Sequence, residues 1–280
     1  MKFKIDNILI IGTGLIGASL AGAIKKQYPE INITGLDSNQ DNLDYSIKES
    51  LIDLETDSLN DLNLNQYQLI ILATPVNIIK DYLDKLYNIF ENNTSQTLII
   101  DTGSTKSEIV NRGRKLNRLR DIWFLGGHPM AGLEKSGALY SEATLFNDKP
   151  FIITRAENIN YPDLIINSLQ ELLKGLGMKV IELNPESHDK FLAGVSHLPQ
   201  LLAYTLDEVI MTEANGNEMV AISGNGYKDM TRLASSSKGL WEEIFKSNNQ
   251  NLIYYIDKYI SRLNQYKDWL KESEGKLKNV

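Results

Sequence analysis

The sequence predicts an α/β fold in which a doubly wound, parallel-sheet domain is followed by an all-α domain. Short β-branched runs alternate with helical patterns in the first part, a glycine-rich turn follows the first run, and after Pro185 only helical patterns remain. Alternation of strands and helices is typical of a parallel sheet covered on both faces. We therefore place the domain boundary between residues 1–184 and residues 185–280.

Apolar runs bounded by turn residues mark the predicted strands of the first domain. Several are apolar on both faces, as parallel strands buried between helices are. The predicted strands are Asn7–Ile11, Ile33–Leu36, Leu69–Ala73, Leu98–Asp101, Phe124–Gly127, Pro150–Thr154 and Met178–Leu183. Helices are predicted near residues 15–28, 76–90, 105–117 and 162–175.

The second domain is predicted to consist of helices near residues 187–214, 217–223, 228–246 and 249–273. Its last helix carries one apolar stripe, which either packs within its own domain or forms a dimer interface. We favour a homodimer through this domain, because fewer than about 100 residues bury many long helices poorly. The stripe comprises Leu252, Ile256, Tyr259, Leu263, Tyr266 and Leu270.

Composition excludes some classes of function. The net charge of −7 argues against a nucleic-acid partner, because phosphate neutralisation needs clustered Lys and Arg. The chain has no cysteine, which excludes disulfides and thiolate chemistry. The apolar run after the N-terminus is too short for a signal sequence or a membrane span, so we expect a cytoplasmic protein with no membrane partner.

A glycine-rich turn follows the first predicted strand and opens the first predicted helix. Gly12 permits a tight turn, Gly14 lets the backbone approach a pyrophosphate, and Gly17 lets helix and strand pack closely. The helix N-terminus offers N–H groups and a positive dipole end to phosphates. This order of elements predicts a Rossmann-type dinucleotide site at Gly12, Gly14, Leu15, Ile16 and Gly17.

Asp37 follows the second predicted strand, about twenty residues after Gly17, where a carboxylate binds the adenosine ribose in such folds. It would repel a 2′-phosphate, and the neighbouring Ser38 and Asn39 provide no arginine to receive one. We therefore predict NAD rather than NADP. The alternative is that Asp37 only caps the next helix.

Two further strand ends are expected at the same edge of the sheet, where ligands bind in such folds. Pro75 could also simply end a strand and start a helix, and Ser104 could be a helix N-cap. The cofactor contacts predicted at these ends are Thr74, Pro75, Asp101 and Gly103.

The chain has three histidines, which narrows the search for a general base near neutral pH. His128 lies in a glycine-rich segment, Gly126–Gly132, directly after a predicted strand. Pro129 biases His128 toward an extended conformation. By position alone, the imidazole could serve either a catalytic or a structural role.

A series of short blocks extends over essentially the whole chain. They are Gly12–Gly17, Asp101–Lys106, Gly127–Gly132 with Glu134–Gly137, His188-Asp189, Ser196–Pro199 and Tyr227–Arg232, with Trp241 beyond. Together they resemble the prephenate/arogenate dehydrogenase family. The glycine turn alone is shared by many dehydrogenases, whereas the His-Pro-Met-Ala-Gly and Lys-Asp-x-Thr-Arg blocks in this order are highly specific.

The resemblance implies NAD-dependent oxidative decarboxylation of prephenate to 4-hydroxyphenylpyruvate in tyrosine biosynthesis. His128 would accept the C4 hydroxyl proton while C4 gives hydride to NAD, and the ring carboxylate would leave as carbon dioxide. Ser104 matches the serine near this hydroxyl, and Arg232 matches the arginine that binds a substrate carboxylate. A guanidinium pairs with a carboxylate in bidentate fashion, although a salt bridge to Asp229 or Glu134 is the alternative.

The family pattern also brings the helical domain to the substrate. Pro199 cannot donate a backbone hydrogen bond, so we expect a kink with Ser196 and His197 at the bend. Gln200 stands where many members have histidine and Leu133 where many have threonine, which leaves open whether a pyruvyl or an alanyl side chain is recognised. The implied substrate-binding residues are Arg232, His197, Ser196, Gln200, Lys228 and Trp241.

Other functions remain as alternatives. Arogenate could replace prephenate as the substrate. A β-hydroxyacid dehydrogenase or imine reductase would use a catalytic lysine on the helical domain, which Lys228 superficially fits, but those families lack the His128 block. A non-enzymatic NAD(H)-sensing regulator is the last alternative, and no basic stripe or DNA-reading element supports it.

Overall fold

The computed structural model describes residues 3–91 and 95–271. The chain divides into two compact units, of which the first extends to His188 and the second begins at Asp189. The first unit contains a β-sheet with its covering helices, and the described part of the second is helical. Each unit is considered by itself below.

The sheet of the first unit has eight strands in the order β3-β2-β1-β4-β5-β6-β7-β8. Neighbouring strands from β3 to β6 are parallel, β7 is antiparallel to β6, and β8 is parallel to β7. The strands are β1 Asn7–Ile11, β2 Asn32–Leu36, β3 Leu54–Thr56, β4 Leu69–Leu72, β5 Thr97–Asp101, β6 Ile122–Pro129, β7 Pro150–Thr154 and β8 Lys179–Leu183.

Helices cover both faces of this sheet. Along β1, Ile8 and Ile10 belong to one buried core, which α1 and α5 cover, whereas Leu9 and Ile11 belong to the other, which α3 and α4 cover. This alternation follows from the two-residue period of a strand. The helices are α1 Leu15–Gln27, α2 Gln40–Lys48, α3 Val76–Phe90, α4 Ser107–Gly113 and α5 Asp163–Gly175.

The predicted α/β fold is confirmed, but details of the predicted parallel sheet and its helices differ. The sheet is not parallel throughout, because the segment between β6 and β7 holds only the short 3₁₀ helix Ala138–Tyr140. Without a crossover helix, the chain returns antiparallel to β6. In addition, β3 was not predicted, since it is only three residues long and largely exposed at the sheet edge.

The second unit continues from a helix that begins in the first. After α6 (Pro185–Leu192) the chain forms a π-helical turn, Ala193–His197, and then continues as α7. Pro199 lies in the first turn of α7, just after this π-helical turn. A π-helical turn is a local widening of the helix, and it lies where a kink was predicted; the kink itself stays a prediction. The later helices are α7 Leu198–Met211, α8 Gly216–Ala221, α9 Asn225–Thr231, α10 Lys238–Ser247 and α11 Asn249–Lys271.

The apolar stripe on α11 is only partly covered within the chain. Leu252 is buried, whereas Leu263 is 51% exposed and Leu270 is 72% exposed. Packing within its own domain therefore does not account for the later part of the stripe. Among the described residues, no helix is both long and apolar enough to cross a membrane.

Candidate active site

The glycine-rich turn has the geometry that phosphate binding requires. Gly12 has a φ of +95°, and a Cβ there would lie 2.6 Å from the carbonyl oxygen of Ala73. A Cβ on Gly17 would lie 1.9 Å from the carbonyl oxygen of Gly12, so the start of α1 packs directly on the turn. At Gly14 nothing lies within 4 Å of the Cβ position, which leaves the backbone open to a phosphate at the helix N-terminus.

Asp37 is fixed against this turn. Its Oδ2 accepts hydrogen bonds from the Thr13 backbone N–H at 2.8 Å, the Thr13 hydroxyl at 3.2 Å and the Asn42 side-chain amide at 3.2 Å. Its Oδ1 accepts one from the Asn39 N–H at 2.9 Å. The N-cap of α2 is Asn39, which accepts a bond from the Asp41 N–H. Asp37 is thus not the helix cap, and Oδ1 has room for a further donor such as a ribose hydroxyl.

Thr74 follows β4, next to the glycine turn. Its Oγ1 is buried and has no hydrogen-bond partner in the chain, and its Cγ2 lies 2.8 Å from the Cβ position of Gly12. Buried hydroxyls are rarely left unpaired, so this atom is suited to a cofactor contact. Pro75 is exposed and precedes α3. An open Gly14, an unpaired Thr74 hydroxyl and a fixed Asp37 together fit a dinucleotide.

A buried ion pair connects the end of β5 to β6. Asp101 and Lys106 are both fully buried and in direct contact. Asp101 also accepts the N–H groups of Gly103 at 2.8 Å and Gly127 at 3.1 Å, while the Lys106 ammonium donates to the Gly127 carbonyl at 2.7 Å. A Cβ on Gly127 would lie 2.4 Å from the Asp101 carbonyl oxygen, so this approach requires glycine.

The Asp101 carboxylate is enclosed by protein donors, so it holds the loop in place. A contact between Asp101 and a cofactor stays a prediction. Burial raises the pKa of the Asp101 carboxyl, and the Lys106 ammonium together with the N–H groups of Gly103 and Gly127 opposes that rise. Gly103 is also buried, between Asp101 and Ile109.

His128 lies near the end of β6, immediately after Gly127, whose peptide groups the ion pair bonds. Its Nδ1 is 2.8 Å from Nε2 of His188, and the two rings are tilted by 58° with their centroids 5.1 Å apart. His188 is fully buried, whereas His128 is partly exposed. One ring must donate and the other accept. This bond uses Nδ1 of His128.

Sequence reasoning did not assign His188 a role at the site. The two histidines are sixty positions apart, and α6 brings the second one to the end of β6. The scarcity of histidine and the His188-Asp189 block were the signals that could have identified it.

Four strand ends bring the predicted residues of the first unit together. β1, β4, β5 and β6 are neighbours and run parallel, so their carboxyl ends share one edge of the sheet. The glycine turn, Thr74, Ser104 and His128 follow or end these strands. Ser104 is partly exposed and is not a helix cap, because Lys106 is the N-cap residue of α4. Its hydroxyl can therefore serve a ligand.

In the second unit, two residues predicted to bind substrate, His197 and Gln200, are buried. His197 accepts a hydrogen bond at Nδ1 from the Asn248 amide at 3.2 Å and lies edge-on to Trp241 at 6.1 Å between ring centroids. The Gln200 amide donates to the Leu233 carbonyl at 2.7 Å. Both side chains are about 1% exposed, and these bonds hold neighbouring segments in place. Their contact with a substrate stays a prediction. Ser196 is partly exposed in the π-helical turn.

Arg232 opens an exposed 3₁₀ turn, Arg232–Ser235. Two side chains one turn apart on α7 hold the backbone of this segment, Gln200 at the Leu233 carbonyl and Tyr204 at the Ser236 carbonyl, the latter at 2.9 Å. Lys228 is exposed on α9, and Trp241 is partly exposed on α10. The guanidinium is thus carried by a fixed backbone.

We predict that Lys106→Met lowers the free energy of unfolding by about 3–5 kcal/mol at neutral pH, because it leaves a buried carboxylate without its paired cation. The folded-state pKa of Asp101 would then lie well above its unfolded value. Stability would be retained at low pH and lost as the pH rises through the folded-state pKa. Urea unfolding at several pH values measures this.

The double variant Asp101→Asn/Lys106→Met is the control, since it removes both charges. It should recover part of the stability and lose the added pH dependence. A Lys106→Met variant as stable as the wild type at every pH would contradict the role given to the pair.

Comparison with known proteins places this geometry in a family. Residues 20–182 match the family model described as prephenate dehydrogenase, nucleotide-binding domain, and residues 184–278 match prephenate dehydrogenase, dimerization domain. The chain is 34% identical to the prephenate dehydrogenase of Lactococcus lactis over 92% of its own length and 69% of that relative.

Solved structures give the same result. The prephenate dehydrogenase of A. aeolicus in complex with hydroxyphenyl propionate and NAD+ has 28% identity and a TM-score of 0.85, over 95% of this chain and 91% of that one. Synechocystis arogenate dehydrogenase has 26% identity and a TM-score of 0.77, over 95% and 92% of the two chains. Both family models and the similarity along the chain lead to one conclusion: this protein belongs to the prephenate dehydrogenase family of NAD-dependent oxidoreductases.

Proposed function

We propose that the protein oxidises prephenate with NAD to 4-hydroxyphenylpyruvate and carbon dioxide. The observation that carries the proposal is the pairing of His128 with buried His188 at the sheet edge where the glycine turn also opens. A partly exposed imidazole with one nitrogen engaged by a buried partner is a suitable general base. NAD supplies the hydride acceptor.

His128 would act through Nε2. With Nδ1 protonated and donating to His188, Nε2 keeps a lone pair that can accept the C4 hydroxyl proton. As the C4–H bond gives up its hydride, the O–H electrons form the carbonyl. The C1–carboxylate bond then breaks, carbon dioxide leaves, and its electrons complete the aromatic ring once the carbonyl oxygen regains a proton. Neutral His188 would stabilise the imidazolium formed at His128 by accepting its Nδ1 proton in a hydrogen bond.

Ser104 and Arg232 are the residues proposed to orient the substrate. Ser104 follows β5, the strand next to β6, and its partly exposed hydroxyl is not used for helix capping. Arg232 would bind a substrate carboxylate with its planar fork, supported by a backbone that Gln200 and Tyr204 hold. Ser196, Lys228 and Trp241 remain proposed contacts.

We also propose that the working form is a homodimer formed through the helical unit. Ile253, Ile260, Leu263 and Leu270 on α11 are each at least half exposed. A surface with this much exposed apolar area is typical of an interface, and the matching family model is a dimerization domain.

The test of the proposed function is the specificity constant for two substrates. With NAD as cofactor, we expect kcat/KM for prephenate to exceed kcat/KM for arogenate. We also expect a higher kcat/KM with NAD than with NADP, because the Asp37 carboxylate would repel a 2′-phosphate. Arogenate is the second candidate, since a similar structure is an arogenate dehydrogenase. If the protein prefers arogenate, arogenate takes the place of prephenate as the proposed substrate. If it turns over neither compound, the proposal is overturned.

We predict that His128→Asn lowers kcat by about 10²–10⁴-fold, the usual range for a positioned general base, while the Kd for NAD stays unchanged. His188→Asn should lower kcat less and shift the pH profile, since it acts through His128. Steady-state kinetics with NAD titrations measure both. A near wild-type kcat for His128→Asn would remove the imidazole from the mechanism.

Arg232→Ala is expected mainly to raise the KM for prephenate, because it removes ground-state binding of a carboxylate. Arg232→Lys should recover only part of the loss, since an ammonium cannot pair in bidentate fashion. Arg120→Ala is the matched control, because its side chain is 91% exposed. An unchanged KM in Arg232→Ala would contradict the assignment.

A further inference from the structure

Side chains on α1 and α2 accept hydrogen bonds from the backbone of the segment between β6 and β7. This segment, residues 130–149, follows His128 directly and is called the β6–β7 loop here. The Ala138 N–H donates to Oδ1 of Asn42 on α2 at 2.9 Å. The Glu142 N–H donates to the hydroxyl of Ser19 on α1 at 3.0 Å. Neither Asn42 nor Ser19 has a role in the chemistry proposed above.

Asn42 has a second contact that Ser19 lacks. Its Nδ2 donates to Oδ2 of Asp37 at 3.2 Å. The two contacts fix the orientation of the amide, because Ala138 offers a donor and needs the oxygen, while the carboxylate is an acceptor and needs the nitrogen. One side chain therefore joins the cofactor-binding carboxylate to the backbone of the β6–β7 loop.

We propose that Asn42 is a positioning residue that transmits NAD binding from Asp37 to the β6–β7 loop. A ribose hydroxyl that donates to Oδ1 of Asp37 would restrict the carboxylate. The carboxylate accepts from the Asn42 amide, and the amide oxygen accepts from the Ala138 N–H, so both would be restricted as well. Since coupling between sites is reciprocal, an ordered loop also favours NAD. NAD binding would thus strengthen the attachment of the loop that lies beside His128. This inference goes beyond the proposed substrate and chemistry.

Three variants distinguish the contact of Asn42 with Asp37 from its contact with Ala138. Asn42→Ala removes both bonds. Asn42→Asp keeps an acceptor for Ala138 but replaces the donor to Asp37 with a like charge. Ser19→Ala removes the bond to the Glu142 N–H and leaves the Asp37 contact intact, so it is the matched control.

The measurements are the Kd for NAD and amide hydrogen exchange of residues 137–143, with and without NAD at concentrations well above each Kd. In the wild type, NAD should slow exchange at Ala138. Asn42→Ala should weaken NAD binding about tenfold, the size expected for losing a hydrogen bond to a charged group, and NAD should no longer slow exchange. Asn42→Asp should also lose the NAD-dependent slowing, with basal exchange nearer to the wild type.

Ser19→Ala should exchange faster at Glu142, bind NAD within about twofold of the wild type, and retain the NAD-dependent slowing at Ala138. The proposal is overturned if NAD slows exchange at Ala138 equally in the wild type and both Asn42 variants, or in none of them. No substrate enters either measurement, so the result does not depend on whether prephenate is turned over.

Discussion

A buried ion pair fixes the peptide that precedes His128. Moving a carboxylate and an ammonium out of water is costly, and it is tolerated only when both are well paired. Asp101 and Lys106 meet this condition by also bonding both backbone polar groups of Gly127. An apolar pair of similar volume could fill the same space but could not fix that peptide. The position of His128, one residue later, therefore depends on charges that never meet solvent.

The same construction recurs elsewhere in the chain. Buried side chains bond the backbone of segments that lie far away in the sequence. Gln200 and Tyr204 hold the turn that begins with Arg232, and the Asn248 amide bonds the Asp189 carbonyl at 2.7 Å. Anchoring the backbone in this way limits its freedom.

The local features of the site could be predicted from sequence, but its long-range pairings could not. The glycine turn, Asp37 and His128 follow from strand ends and residue types, because those rules act over a few neighbouring residues. The bonds of His188 to His128 and of Asn42 to Ala138 join positions far apart in the chain. Motif matching likewise gives the position of Gln200 but not its bond to the Leu233 carbonyl, which depends on the direction of the side chain.

The antiparallel turn of the sheet after β6 has a consequence for how this family can diverge. Both ends of the β6–β7 loop leave from adjacent, hydrogen-bonded strands, and the Met130 N–H is already bonded to the Pro150 carbonyl at 2.8 Å. The entropy of closing a loop grows only logarithmically with its length, so doubling it costs about 0.6 kcal/mol. Insertions and deletions here would leave the strand register intact. The length of the loop beside the His128 imidazole can thus change during evolution with little loss of folding stability.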